Sequence, residues 1–162
     1  MNTETTRVLS AMRPNGRLHL GHYLGVLQNW QQIQYQYKCF FMLADIHGII
    51  NNYQASQQLS ETMNEMVIDW LAAGVDPSQA TIFIQSRVPE HFELASLLGV
   101  ITPLGWLERV PSYKDALDEL EHTDGNTYGL LGSPLLQSAD ILLYNSHYVI
   151  TGEEQAANIE LT

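Results

Sequence analysis

Four short apolar runs, each leading into a stretch with helix character, constrain this chain most. They are Thr6–Ala11 (TRVLSA), Cys39–Ala44 (CFFMLA), Ala80–Ser86 (ATIFIQS) and His147–Ile150 (HYVI). The second and third lack polar alternation, as expected of strands buried on both faces. Between the runs, apolar residues recur at helical spacing. Leu24, Leu27, Trp30 and Ile33 make one such series. Leu59, Met63, Met66, Val67, Trp70 and Leu71 make another within Ala55–Gly74, with Gly74 as its C-terminal cap and Pro77 just beyond. Glu90–Ile101 reads as helix, and so does the segment after Pro111. SPLLQSADILLY reads as a helix capped by Ser133 with Pro134 at its first position. GEEQAANIELT opens as a helix, with Glu153 and Glu154 in its first turn. Strands alternating with helices predict an α/β fold: a parallel sheet covered by helices on both faces. We expect residues 1–162 to form a single domain, with a less regular connecting insertion at about 102–128.

Composition narrows the function. The chain is 45% hydrophobic, enough for a real core. Its 7 Lys and Arg face 18 Asp and Glu, a net charge of -11, and the basic residues do not cluster. General affinity for a nucleic-acid backbone is therefore not expected. Cys39 is the single cysteine, so no internal disulfide forms and a reducing, cytoplasmic setting is expected. No apolar run approaches the ~20 residues of a membrane span.

Chemistry concentrates at MRPNGRLHLGHYLG, Met12–Gly25. In an open parallel sheet, ligands sit at the carboxyl ends of the strands. The free N–H groups of a helix start favour a phosphate there. Gly21 would let a ring or a phosphate approach the backbone. His19 and His22, one helical turn apart, could donate hydrogen bonds to phosphate oxygens as charge builds in a transition state. Histidines with a structural role stay open on pattern alone. A zinc site is disfavoured, because the H-E-x-x-H glutamate and any cysteine pair are missing.

At RPNGRLHLGHYLG the sequence resembles class I aminoacyl-tRNA synthetases, whose first motif is usually H-I-G-H; here it is His19-Leu20-Gly21-His22. CFFMLADIHGI, ATIFIQSRVPEH, GWLERVPSYKD, LLQSADILLYN and GEEQAANIELT follow in the order and spacing of tryptophanyl-tRNA synthetases. The resemblance runs from Thr6 to Thr162. It implies a Rossmann-like nucleotide-binding domain that joins L-tryptophan to ATP, with Mg2+, and passes it to tRNA(Trp), in a homodimer.

The resemblance also implies the site. His19, His22 and Lys114 would be catalytic. Arg13, Pro14, Asn15, Gly21, Gly152, Glu153 and Glu154 would join His22 around ATP. Asp140 would accept the indole N–H, with Gln137, Gln155 and His47 around the amino acid, and no metal would be held by protein side chains. The indole role is physically sound, since a carboxylate is a strong acceptor and a tyrosine would leave it unpaired. By residue type alone, Asp140 reads more readily as an acid capping a neighbouring turn or donor, and Lys114 as a solvated helix charge.

Three positions depart from the family pattern: Glu154 replaces an Asp, Asn158 a His, and Ser133 stands where many relatives have Tyr. The K-M-S-K-S signature is absent from the sequence, so we expect a part of an enzyme that stops before that signature and the C-terminal helical domain. Two alternatives stay open: a tryptophan- or ATP-binding paralogue without efficient chemistry, and another nucleotidyltransferase with the H-x-G-H motif.

Overall fold

A computed structural model describes residues 6–51, 59–119 and 126–162. These fall into two compact units: Met1–Arg87 with Ser146–Ile150, and Val88–Asn145 with Thr151–Thr162.

The first unit holds the sheet. Its strands are β1 (Arg7–Met12), β2 (Lys38–Leu43), β3 (Thr81–Ile84) and β4 (Tyr148–Ile150), in the order β3-β2-β1-β4 and all parallel. Leu9 pairs with Phe40 on one side and Val149 on the other. The apolar runs therefore pair as the sequence predicts. β2 is an inner strand and keeps Cys39, Phe41, Met42 and Leu43 buried. β3, in contrast, is an edge strand with Thr81 exposed and its other residues half-buried, so the expectation of a doubly buried third strand is corrected.

After β1 the chain turns into α1 (Leu20–His22), a π-helical turn (Tyr23–Leu27) and α2 (Gln28–Ile33). The wider π turn shifts the apolar phase. Leu27 and Trp30 reach the core, but Leu24 stays 56% exposed and leaves the expected stripe. β2 leads into α3 (Asp45–Asn51), and α4 (Leu59–Ala72) precedes β3. Residues 55–58 of the expected α4 stretch lie outside the described residues. Trp30 of α2 stacks on Phe41 of β2 at 4.1 Å between ring centroids, and Trp70 of α4 meets Trp30 edge-on at 4.9 Å. Val8, Met12, Leu43 and Met66 complete this apolar cluster. The α4 stripe holds at Met66 and Trp70, while Leu71 is 43% exposed. Gly74 closes α4 at φ +94°, where the Val75 N–H reaches the Trp70 carbonyl and the Gly74 N–H reaches Leu71.

The second unit contains α5 (Glu90–Ile101), α6 (Leu104–Leu107), α7 (Pro111–Glu119), α8 (Tyr128–Leu143) and α9 (Ala156–Leu161), the last preceded by a 3-10 turn at Glu153–Gln155. Residues 120–125 of the connecting insertion, with part of its TDGNTYG turn, lie outside the described residues. α8 corrects the reading of Ser133 as a cap. The helix starts at Tyr128, where the Thr127 hydroxyl accepts from the Leu130 N–H, and Pro134 lies inside it. Pro134 has no N–H to continue the backbone ladder, yet it is fully buried, and Ser138 donates to its carbonyl at 3.1 Å. The Cβ that Gly99 lacks would sit 3.5 Å from Leu135, so α5 and α8 pack closely. Among the described residues no helix is long and apolar enough to cross a membrane.

Candidate functional site

The carboxyl ends of β1 and β2 collect one group of the expected residues. β1 ends at Met12, and Arg13–His19 lead directly into α1. Arg13, Asn15, His19 and Gly21 are exposed, while Pro14 is buried. His47 lies in the first turns of α3, just after β2. That helix lies close to the β1 turn, since a Cβ on Gly48 would sit 3.3 Å from the Pro14 ring. The Asp45 carboxylate accepts from the Ser86 N–H at 3.0 Å and ties the end of β2 to that of β3.

The two motif histidines form a reciprocal helix cap. The Gly21 N–H donates to His19 Nδ1 at 3.1 Å, and the His19 N–H donates to His22 Nδ1 at 3.2 Å. The rings lie 3.9 Å apart. An Nδ1 that accepts a backbone N–H carries no proton, so each neutral ring holds its proton on Nε2. The turn thus presents two imidazole Nε2–H donors at a strand end. Burial, then the neighbouring His19, lowers the His22 pKa and keeps that ring neutral. Gly21 is needed for this packing, since a Cβ there would meet the His19 ring at 2.9 Å and 3.0 Å.

The second unit carries the remaining candidates. Asp140 is buried on α8, and its Oδ1 lies 2.6 Å from Nδ1 of His91, on the first turn of α5. His91 Nε2 lies 2.9 Å from the Tyr144 hydroxyl, one helical turn beyond Asp140. Desolvation, then the charges of Asp140 and Glu90, push the Tyr144 pKa up to about 12 and keep the phenol protonated. Gln137 belongs to a second network. Buried Asn158 donates to Gln137 Oε1 at 2.8 Å and to Gln155 Oε1 at 3.0 Å, and accepts from the Ser112 hydroxyl at 2.9 Å. Gly152 precedes the 3-10 turn, with Glu153 and Glu154 exposed on it. Lys114 is exposed on α7. A shallow hollow between Trp106, Val110 and Leu161 contains none of these residues.

The family described as tRNA synthetases class I (W and Y) matches residues 1–162. The chain belongs to this family. It is 59% identical over 156 residues to a tryptophan–tRNA ligase of Ralstonia nicotianae, covering 96% of this chain and 39% of that protein. A tryptophan–tRNA ligase of Thermotoga maritima is 45% identical, with 96% and 48% covered. The fold matches a crystal structure of tryptophanyl-tRNA synthetase from Campylobacter jejuni, complexed with ADP and tryptophan, at a TM-score of 0.88 and 32% identity. That match covers 96% of this chain and 48% of the other. The chain therefore spans less than half the length of these relatives.

Within the class I synthetase frame, each unit assembles its own part of the expected set. The first brings Arg13–His22 and His47 to one sheet edge, and the second joins Gln137 and Gln155 through Asn158. The sequence reading missed His91 and Tyr144. A signal for Tyr144 was present: it stands four residues after Asp140 and so shares its helix face. His91 had no such signal, because its partner lies 49 residues away.

Proposed function

We propose that this chain belongs to an enzyme that activates L-tryptophan with ATP, forms tryptophanyl-adenylate with release of pyrophosphate, and transfers tryptophan to tRNA(Trp). The histidine cap carries the reading. Two imidazole Nε2–H donors, held by backbone bonds at the end of β1, suit phosphate oxygens that gain charge as pyrophosphate leaves. Arg13, Pro14, Asn15 and Gly21 would shape this ATP site, with Gly152, Glu153 and Glu154 toward the adenosine and Lys114 toward phosphate. Asp140 would accept the indole N–H, a bond that neither tyrosine nor phenylalanine reproduces. Gln137, Gln155 and His47 would surround the rest of the amino acid. Among the described residues no three His, Cys, Asp or Glu side chains converge on a metal site. Mg2+ would arrive with ATP, held by its phosphates and water.

We further propose that residues 1–162 act as one Rossmann-type catalytic domain in the cytoplasm. Leu97, Val100, Ile101, Leu104 and Trp106 are exposed at 52–83% on α5 and α6, an apolar surface that supports homodimer formation.

Pyrophosphate exchange with each amino acid tests the activity. Exchange dependent on tryptophan is expected, but slow: the chain has no K-M-S-K-S lysines, and loss of one preorganised donor already costs about 10²–10³ in rate. Exchange driven by another amino acid would overturn the substrate assignment. In a longer form that carries those lysines, tryptophan binding with no exchange would favour a binding protein, a reading that the departures at Glu154 and Asn158 keep open.

A further inference from the structure

Asp140 does not reach its position on α8 unaided. A carboxylate on a helix can turn about its last torsion and exchange oxygens. Here Oδ1 lies 2.6 Å from His91 Nδ1, a charge-assisted distance, and both side chains are buried. The direction of this hydrogen-bond chain follows from the inventory of donors. An ionised carboxylate only accepts, so His91 Nδ1 is the donor at 2.6 Å; in the neutral ring Nε2 is then left as an acceptor, and the Tyr144 O–H donates to it at 2.9 Å. Both ring nitrogens are committed, which leaves His91 one orientation.

We propose that His91 is a positioning residue for amino-acid selection: its Nδ1–H holds the Asp140 carboxylate fixed in rotation for a substrate indole N–H. Tyr144 supports it by holding the tautomer. The proposal rests on the reading that Asp140 receives the indole. Before any ligand arrives, the acceptor is aligned, so binding needs no reorganisation there.

The test compares two ligands by calorimetry on the 162-residue chain. L-tryptophan has the N–H; 3-benzothienyl-L-alanine keeps the shape and replaces the N–H with sulfur. The unaltered chain should prefer tryptophan by about ten- to a hundredfold. His91→Leu should bring this preference close to parity, mainly by weakening tryptophan. His91→Asn places an amide N–H near the Nδ1 position and should restore most of the preference. Tyr144→Phe, which keeps the ring packing, should reduce it several-fold. Should His91→Leu fail to fold, the Asn and Phe variants decide.

A preference that persists in His91→Leu or Tyr144→Phe overturns the positioning role and leaves the tryptophan reading intact. A His91→Asn variant no better than His91→Leu also overturns it, since simple filling of space would then explain His91. No binding, or no preference, in the unaltered chain removes the tryptophan reading itself.

Discussion

In the first unit, Trp30, Phe41 and Trp70 meet ring to ring inside an apolar cluster. In the second, α5 and α8 meet through a histidine, a carboxylate and a phenol. Apolar contact is non-directional and scales with area, so the first unit is held by how much it buries. Buried polar contact depends on single atoms, and each unmade bond is costly. The first unit accordingly tolerates two buried indole N–H groups, on Trp30 and Trp70, with no hydrogen-bond partner among the described residues. The second places both ring nitrogens of His91 within 3 Å of a named partner. One unit fixes a scaffold whose edge carries the histidine cap; the other fixes a side chain's orientation.

The largest effect should come from Trp30→Ala, which empties a fully buried site between two aromatic rings. A loss of about 3–5 kcal/mol is expected in urea unfolding. Trp30→Phe should cost much less, because it keeps the stacking and removes an N–H that has no partner among the described residues. If the Phe variant falls as far as the Ala variant, the apolar account of this unit is wrong.

Asp140→Ala comes next. It strands the His91 donor in the interior, for about 1–3 kcal/mol of stability. On the proposed function it also raises the tryptophan KM and lowers discrimination against tyrosine and phenylalanine. ATP affinity should hold, since the phosphates are assigned to the turn after β1 and Asp140 is not among the residues proposed around ATP. Unchanged tryptophan KM with weaker ATP binding would remove the indole assignment and make the two units' roles indistinct.

The same contrast governs what could be read from the sequence. All four strands and their common direction were legible, because CFFMLA and its counterparts record burial locally. The π turn was not. Its shift of phase left Leu24 outside the stripe, and nothing in YLGVL marks a wider turn. The start of α8 was misread because Ser133-Pro134 has the form of a cap, whereas Thr127 does the capping. At the candidate site, the H-x-G-H motif was visible because its parts are three residues apart. The Asp140 pairing was not, because it joins residues 49 apart and no local pattern encodes it. Asn158 was noticed as a departure from the family, but its bonds to both glutamines needed coordinates.

Gly21→Ala probes the exposed side of the comparison. The new Cβ would push the His19 ring from 2.9 Å and disturb the cap. Loss of a cap costs about 1 kcal/mol. Replacing Gly by Ala inside a helix returns about 1 kcal/mol, so global stability should barely change. ATP binding, measured by calorimetry, should weaken several-fold because His19 Nε2 has moved. A stable variant with full ATP affinity would show that the position of His19 does not matter to the nucleotide.

The smallest effect is the pH response of the same cap. His22 titrates below its ordinary value of 6.5, first because folding desolvates it and then because His19 is its neighbour. A lowered histidine pKa means that the folded form favours the neutral ring, so the unfolded chain takes up its proton first as pH falls. The stabilisation is therefore complete above about pH 6.5 and is lost as pH falls through the lower, folded value. The geometry has the same sign: a protonated Nδ1 no longer accepts the His19 N–H, and two charged rings 3.9 Å apart repel. Between pH 7 and 8 the His19 amide should exchange slowly with solvent, with both rings showing Nε2–H signatures in nitrogen NMR. Below pH 6.5 its protection should fall in step with the His22 titration, while the buried Trp30 cluster, whose Cys39 thiol has its pKa pushed up to about 11 by burial, keeps its signals. A His22 that titrates above 6.5, or a His19 amide indifferent to that titration, would show that the two imidazoles do not hold each other in place.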